Sequence, residues 1–222
     1  MFIKSIKLKI MKTKLLWLLR VFEYGFNYYF LEKPRGLDFS KRSRDRKTLE
    51  ESSGYALTSK RSLRNILKDI PIDKNSVFID IGSGKGGTPY FSLDLGFNRS
   101  AGLEYEDYLH KIAQNNIKIL GLEESIELIC GDALKFEDYY KYSHIFMFRP
   151  LNGEKIKCLI KIILDNIHKS KIHKNYFIIL YGGIPIKYLE ECLEKFPNFK
   201  LSKNTICPYR GNEIRILNAN YE

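Results

Sequence analysis

The chain has 222 residues, enough for one well-packed domain with some decoration and short for two. An apolar share of 44% with 14% aromatics excludes a disordered chain, because that much apolar surface can bury a core. The net charge of +11 is concentrated in the first third: residues 1–70 carry 17 Lys/Arg against 7 Asp/Glu, residues 71–222 carry 20 against 19. A basic partner surface is therefore expected only near the N-terminus. The cysteines Cys130, Cys158, Cys192 and Cys207 form no CxxC pair and show no metal spacing with the four histidines. That argues against a metal site and for reduced thiols in the cytoplasm.

In chain order, "MFIKSIKLKIMKTKLLWLLRVFEYGFNYYF" opens with lysines at 4, 7, 9, 12 and 14 and continues with Leu15, Leu18, Leu19, Phe22, Phe26, Tyr29 and Phe30 at helical spacing. Arg20 and Glu23 interrupt the apolar run, so a signal peptide or a bilayer-spanning helix is not expected. A basic amphipathic helix remains. It can pack on the domain, pair with another copy, lie on an anionic membrane surface through residues 1–30, or contact nucleic acid. Residues 31–53 are polar and aperiodic, with Pro34 and Gly36 as breakers, and read as a mobile linker or lid carrying the cluster "KRSRDRK". The expected division is 1–53, basic helix and linker, and 54–222, the main domain.

From residue 54 the pattern is regular. "LTSKRSLRNILKDI" reads as a helix capped near Thr58 or Ser59, with Leu63, Ile66, Leu67 and Ile70 inward. Apolar runs of strand length follow at 77–81, 101–105, 126–130, 144–148 and 175–181. They alternate with helical patterns at 88–96, 106–120 and 153–169, then "IPIKYLEECLEKF". Two extended stretches, 201–207 and 213–218, are joined by "CPYRGN". The expectation is an α/β fold: a Rossmann-like, doubly wound, mostly parallel seven-stranded sheet with a C-terminal antiparallel hairpin, preceded by N-terminal helices.

The first strand runs into a glycine turn, "VFIDIGSGKGG", residues 77–87. An NTP phosphate loop is excluded by spacing, because Ile79 stands where its first glycine should be and Gly86 where its Ser or Thr should follow Lys85. Gly82, Gly84 and Gly87 formally satisfy the dinucleotide fingerprint. Asp80 decides against it: a carboxylate two residues before the first glycine repels a pyrophosphate seated on a helix N-terminus. The same carboxylate helps to neutralise the ammonium and sulfonium of S-adenosylmethionine (SAM). Glu104, after the second strand, can accept from both ribose hydroxyls, and Asp132, after the third, from the adenine amine. Three acids past three successive strands lie along the edge where doubly wound sheets bind ligands.

On these motifs residues 54–218 resemble the class I SAM-dependent methyltransferases, and more narrowly a small bacterial subgroup. That subgroup has an "FIDLGSGKGR"-like first motif and a "Y-x-x-T" element, here Tyr55-Ala-Leu-Thr58. The resemblance implies SAM as cofactor, S-adenosylhomocysteine as product, and a pocket lined by Asp80, Gly82, Ser83, Gly84, Glu104, Tyr105, Asp132 and Ala133, with Tyr55 and Thr58 closing over it. After the fourth strand the family often has an "FNPF" or "NPPY"-like turn that positions a target amine. Here the segment is "HIFMFRPLNG", with Arg149 in the polar position. Arginine cannot accept from an amine. It either pairs with a neighbouring carboxylate or binds an anionic group of the acceptor. Tyr181, ending the fifth strand, is either an acceptor contact or a packing aromatic, and His144 at the far end of the fourth strand is structural. No general base announces itself. The expectation is transfer of a methyl group to a small molecule or to a glycan- or lipid-linked intermediate. The alternatives are an RNA or protein acceptor docked through the basic N-terminal segment, and a non-catalytic SAM-binding module.

Overall fold

The computed structural model of the protein describes Phe22 and residues 24–41, 55–208 and 211–221. Five parallel strands and an antiparallel pair build one sheet: β1 Val77–Ile81, β2 Arg99–Glu104, β3 Ile126–Cys130, β4 His144–Phe148, β5 Asn175–Tyr181, β6 Phe199–Ile206 and β7 Glu213–Asn220. Their order is β3-β2-β1-β4-β5-β7-β6. The C-terminal hairpin therefore inserts β7 beside β5 and leaves β6 on the edge. The helices are α1 Lys60–Leu67, α2 Gly87–Leu93, α3 Asp107–Leu120, α4 Glu154–Lys169 and α5 Ile186–Leu193. As the capping pattern predicts, Ser59 starts α1, its hydroxyl accepting from the Ser62 N–H at 3.2 Å.

The strands read as continuous apolar runs because both faces are covered. In β4, Ile145 and Met147 join the core under α4, while Phe146 joins the opposite core with Leu63 and Ile66 of α1. The inner stripe of α4, Ile156, Leu159, Ile160, Ile163, Leu164 and Ile167, is almost wholly buried. Each such side chain contributes about 2 kcal/mol by leaving water.

The same period of two corrects one expectation. Tyr181 follows Ile179 onto the α1 face, where it is fully buried with its ring centroid 4.8 Å from Phe148 and 6.3 Å from Phe146. It is a core aromatic and not an acceptor contact.

A second correction concerns residues 31–53. Over its described part the expected mobile linker is docked. Asn27–Glu32 and Lys33–Arg35 form short helical turns. The buried carboxylate of Glu32 then accepts from the N–H groups of Phe39 (2.8 Å) and Ser40 (2.7 Å) and from the Ser40 hydroxyl. Leu37 and Phe39 pack with Leu57, and Phe39 stacks on Tyr90 at 5.5 Å. A polar, aperiodic sequence is held here by one acid and two apolar anchors. Of the N-terminal amphipathic pattern, Leu15, Leu18, Leu19 and the first lysines lie outside the described residues, as does most of "KRSRDRK". Phe22, Phe26 and Phe30 stack in series and are exposed. Among the described residues no helix is long and apolar enough to cross a membrane.

Candidate cofactor and acceptor site

Because β1 lies between β2 and β4, its C-terminal end is the point where the strand order reverses and a crevice opens. A cavity of about 280 Å³ occupies that point. Seven of the expected residues line it: Tyr55, Thr58, Asp80, Gly82, Ser83, Glu104 and Arg149. Thr88, Glu106, Phe148 and Pro150 complete much of the wall.

Asp80 is buried at the end of β1. Burial pushes its carboxyl well above the usual range, the Thr88 hydroxyl opposes that, and the nearby Glu104 adds to it. Glu104 ends β2, and burial raises it too, against the N–H groups it accepts: Gly84 at 2.7 Å and Glu106 at 2.9 Å. The Ser83 hydroxyl is buried with no protein partner among the described residues. Two acids held above their ordinary range and an orphaned hydroxyl fit a cationic ligand bearing further hydrogen-bonding groups. They fit SAM.

Gly84 contributes through its backbone. Its φ is +55°, and a Cβ there would collide with the ring of Tyr55. The Tyr55 ring thus lies directly over the turn, and its hydroxyl donates to the Phe39 carbonyl at 2.6 Å. Gly84, Tyr105, Asp132 and Ala133 do not line the cavity. Tyr105 is exposed. The Asp132 carboxylate, placed by sequence at the adenine, accepts from the Leu134 N–H at 2.9 Å and caps its own loop.

Three participants escaped sequence reasoning. Thr88, in the first turn of α2, bears on Asp80; a hydroxyl one residue past the last glycine was its only signal. Lys85, inside the glycine turn, is 1% exposed. Its ammonium donates to Asp38 and to the Lys41 carbonyl, each at 2.7 Å, and stands 5.4 Å from the Tyr55 ring centroid. Asn116 of α3 closes the arrangement. Its side chain accepts from the Asp38 N–H (2.9 Å) and donates to the carbonyls of Lys85 (3.0 Å) and Asp38 (3.1 Å). Nothing local marks this: the partners are 47 and 78 residues away.

The parallel sheet with its reversed order and the acid-lined cavity at the reversal have the fold of the class I SAM-dependent methyltransferases. The model of the family described as "Histone methylation protein DOT1" matches residues 48–137. An rRNA adenine N-6-methyltransferase from Limosilactobacillus reuteri is 29% identical over 142 residues, 62% of this chain and 53% of that one. The chain thus spans about half the length of that curated relative. Among solved structures, the putative tRNA (m1A22) methyltransferase Sp1610 of Streptococcus pneumoniae in complex with SAM superposes with a TM-score of 0.58, at 20% identity over 75% of each chain. The M1A22 tRNA methyltransferase TrmK of B. subtilis gives 0.56, at 23% identity over 75% of this chain and 68% of that one.

Proposed function

We propose that the chain is a SAM-dependent RNA methyltransferase. The observation that carries the cofactor is the acidic cavity at the strand reversal, with Asp80 and Glu104 buried in its wall. The acceptor class rests on the relatives, whose names specify rRNA and tRNA, and on the net charge of +10 within residues 1–70, which suits a phosphate backbone. This reading replaces the small-molecule or glycan- and lipid-linked acceptor expected from the sequence, because the relatives named above are rRNA and tRNA methyltransferases. A protein acceptor is the second reading, favoured by the match to the histone-methylation family.

When bound, SAM supplies an electrophilic methyl carbon on a cationic sulfur. Asp80 offsets the positive charge, and Glu104 accepts hydrogen bonds with oxygens already oriented by two backbone N–H groups. Tyr55, fastened to Phe39, keeps water from the turn. The remaining task is to hold the acceptor atom in line with the methyl carbon. A proton need be removed only when the attacking atom carries one.

The experiment is methyl-label transfer from SAM into RNA, protein and solvent-extractable fractions of cells lacking the protein, with Asp80→Asn as blank. Ribonuclease-sensitive label is expected. Protease-sensitive label would move the acceptor to protein, extractable label would restore the small-acceptor reading, and no label above the blank would leave a binding module.

A further inference from the structure

A second glycine pair follows β5 and lies against Arg149, which lines the cavity. Gly182 and Gly183 have φ of 108° and 80°. A Cβ on Gly182 would stand 2.8 Å from Cγ and Nε of Arg149, and one on Gly183 3.3 Å from its Nη2. These glycines leave room for the arginine side chain, and the Gly182 carbonyl accepts from its Nε.

Arg149 is itself in the left-handed region at φ 46°, the one described non-glycine residue with positive φ. A long side chain does not adopt that conformation without strain, so the surrounding structure holds it there. It is exposed yet lines the cavity, and it is the single cation among the lining residues, which include Asp80, Glu104 and Glu106. No described carboxylate forms an ion pair with it; Glu213, nearby across Gly183, is already paired with Arg215 at 2.7 Å. Holding Nε on a carbonyl fixes the guanidinium plane and leaves the two terminal nitrogens free to fork an anion.

We propose that Arg149 is an anion-binding residue for the acceptor, taking one backbone phosphate of an RNA strand and so presenting the adjacent base at the cavity mouth. This rests on the RNA reading above. One other anion is close at hand, the carboxylate of SAM itself, and the test separates the two.

The probe is a fluorescent single-stranded oligoadenylate, titrated at graded salt against the full-length wild type, Arg149→Gln, Arg149→Lys and Arg149→Gly, with SAM titrated in parallel. Arg149→Gln is expected to weaken the strand roughly tenfold and to reduce the slope of log K against log salt by about 0.7, the share of one phosphate, with SAM affinity unchanged. Arg149→Lys keeps the slope and loses the fork, so it should fall between. Arg149→Gly relieves the backbone, so it should melt no lower than wild type while binding the strand as weakly as Arg149→Gln. An unchanged slope overturns the proposal. Weaker SAM binding with an unchanged slope also overturns it, by giving the guanidinium to the cofactor. Label transfer by the wild type reads the acceptor class separately: RNA labelled with an unchanged slope sinks Arg149 alone. Protein labelled, with the slope reduced in Arg149→Gln, sinks the RNA acceptor and leaves the anion site.

Discussion

The two edges of the sheet treat buried polar groups in opposite ways. At the N-terminal edge His144 and Tyr176 are satisfied by the protein. His144 has Nδ1 2.9 Å from the Ser143 hydroxyl, and its Nε2–H donates to the Pro71 carbonyl at 3.0 Å. The Tyr176 hydroxyl accepts from the Ile172 and His173 N–H groups and donates to the Tyr140 carbonyl. At the C-terminal edge, Asp80 and Glu104 are buried side by side, Ser83 has no partner, and Arg149 is exposed with no ion pair among the described residues. A buried ionisable group whose partners are all protein is architecture. One that lines a cavity with its partner missing, as Ser83 does, is a seat for a ligand.

The largest effect that could break this comparison concerns stability in acid. Burial lowers His144 to about 4 from an ordinary 6.5. The unfolded chain therefore binds a proton that the native one refuses, and stability present above pH 6.5 is lost as pH falls from there towards 4. The loss should be roughly 3 kcal/mol by thermal or urea unfolding, and much smaller in His144→Gln. An unaltered acid profile in that variant would remove His144 from the account.

Next comes Asp80→Asn. SAM binding should weaken by about 2 kcal/mol, roughly thirtyfold, while the ligand-free protein melts no lower than wild type, since a buried acid without a cationic partner is a burden. Lower melting with intact SAM affinity would make Asp80 architectural, like His144.

Asp38→Ala strands the buried Lys85 ammonium. It should cost about 1–2 kcal/mol, below a wholly buried pair because Asp38 keeps contact with water, whereas Lys85→Met should cost less. If docking of residues 37–41 supports Tyr55 over the glycine turn, Asp38→Ala will also weaken SAM; calorimetry decides it.

The smallest effect is in pH and affinity together. Because Asp80 and Glu104 are raised in the free protein, a cationic ligand must drive protons off them. SAM affinity should fall as pH falls through their raised values, by less than about tenfold per pH unit for each proton released. Calorimetry in buffers of different ionisation enthalpy should detect the released proton.

The sequence by itself determined the strand–helix alternation, the closing hairpin, and the acids Asp80 and Glu104. These follow from short-range pattern: apolar runs of strand length, a capping serine, glycines spaced for one turn. Its reading of single residues was less secure wherever the answer depended on the side of an element. Tyr181 looked like an edge residue because its strand ends there, and only the sheet's alternation turned it into the core. Asp132 sits after the right strand but does not line the cavity, and its carboxylate accepts from the Leu134 N–H two residues on.

What only the tertiary structure decided are contacts between segments far apart in the chain. Lys85 was a charge in a turn until Asp38 and Asn116 closed on it from 47 and 31 residues away. Residues 37–41 were a linker until Phe39 met Tyr90. Arg149 was a departure from a motif until Gly182, 33 residues later, supplied the carbonyl and the space that aim it. Local patterns select elements because their energetics repeat every two or three to four residues. Partners across the fold are chosen by packing, which has no period in the sequence.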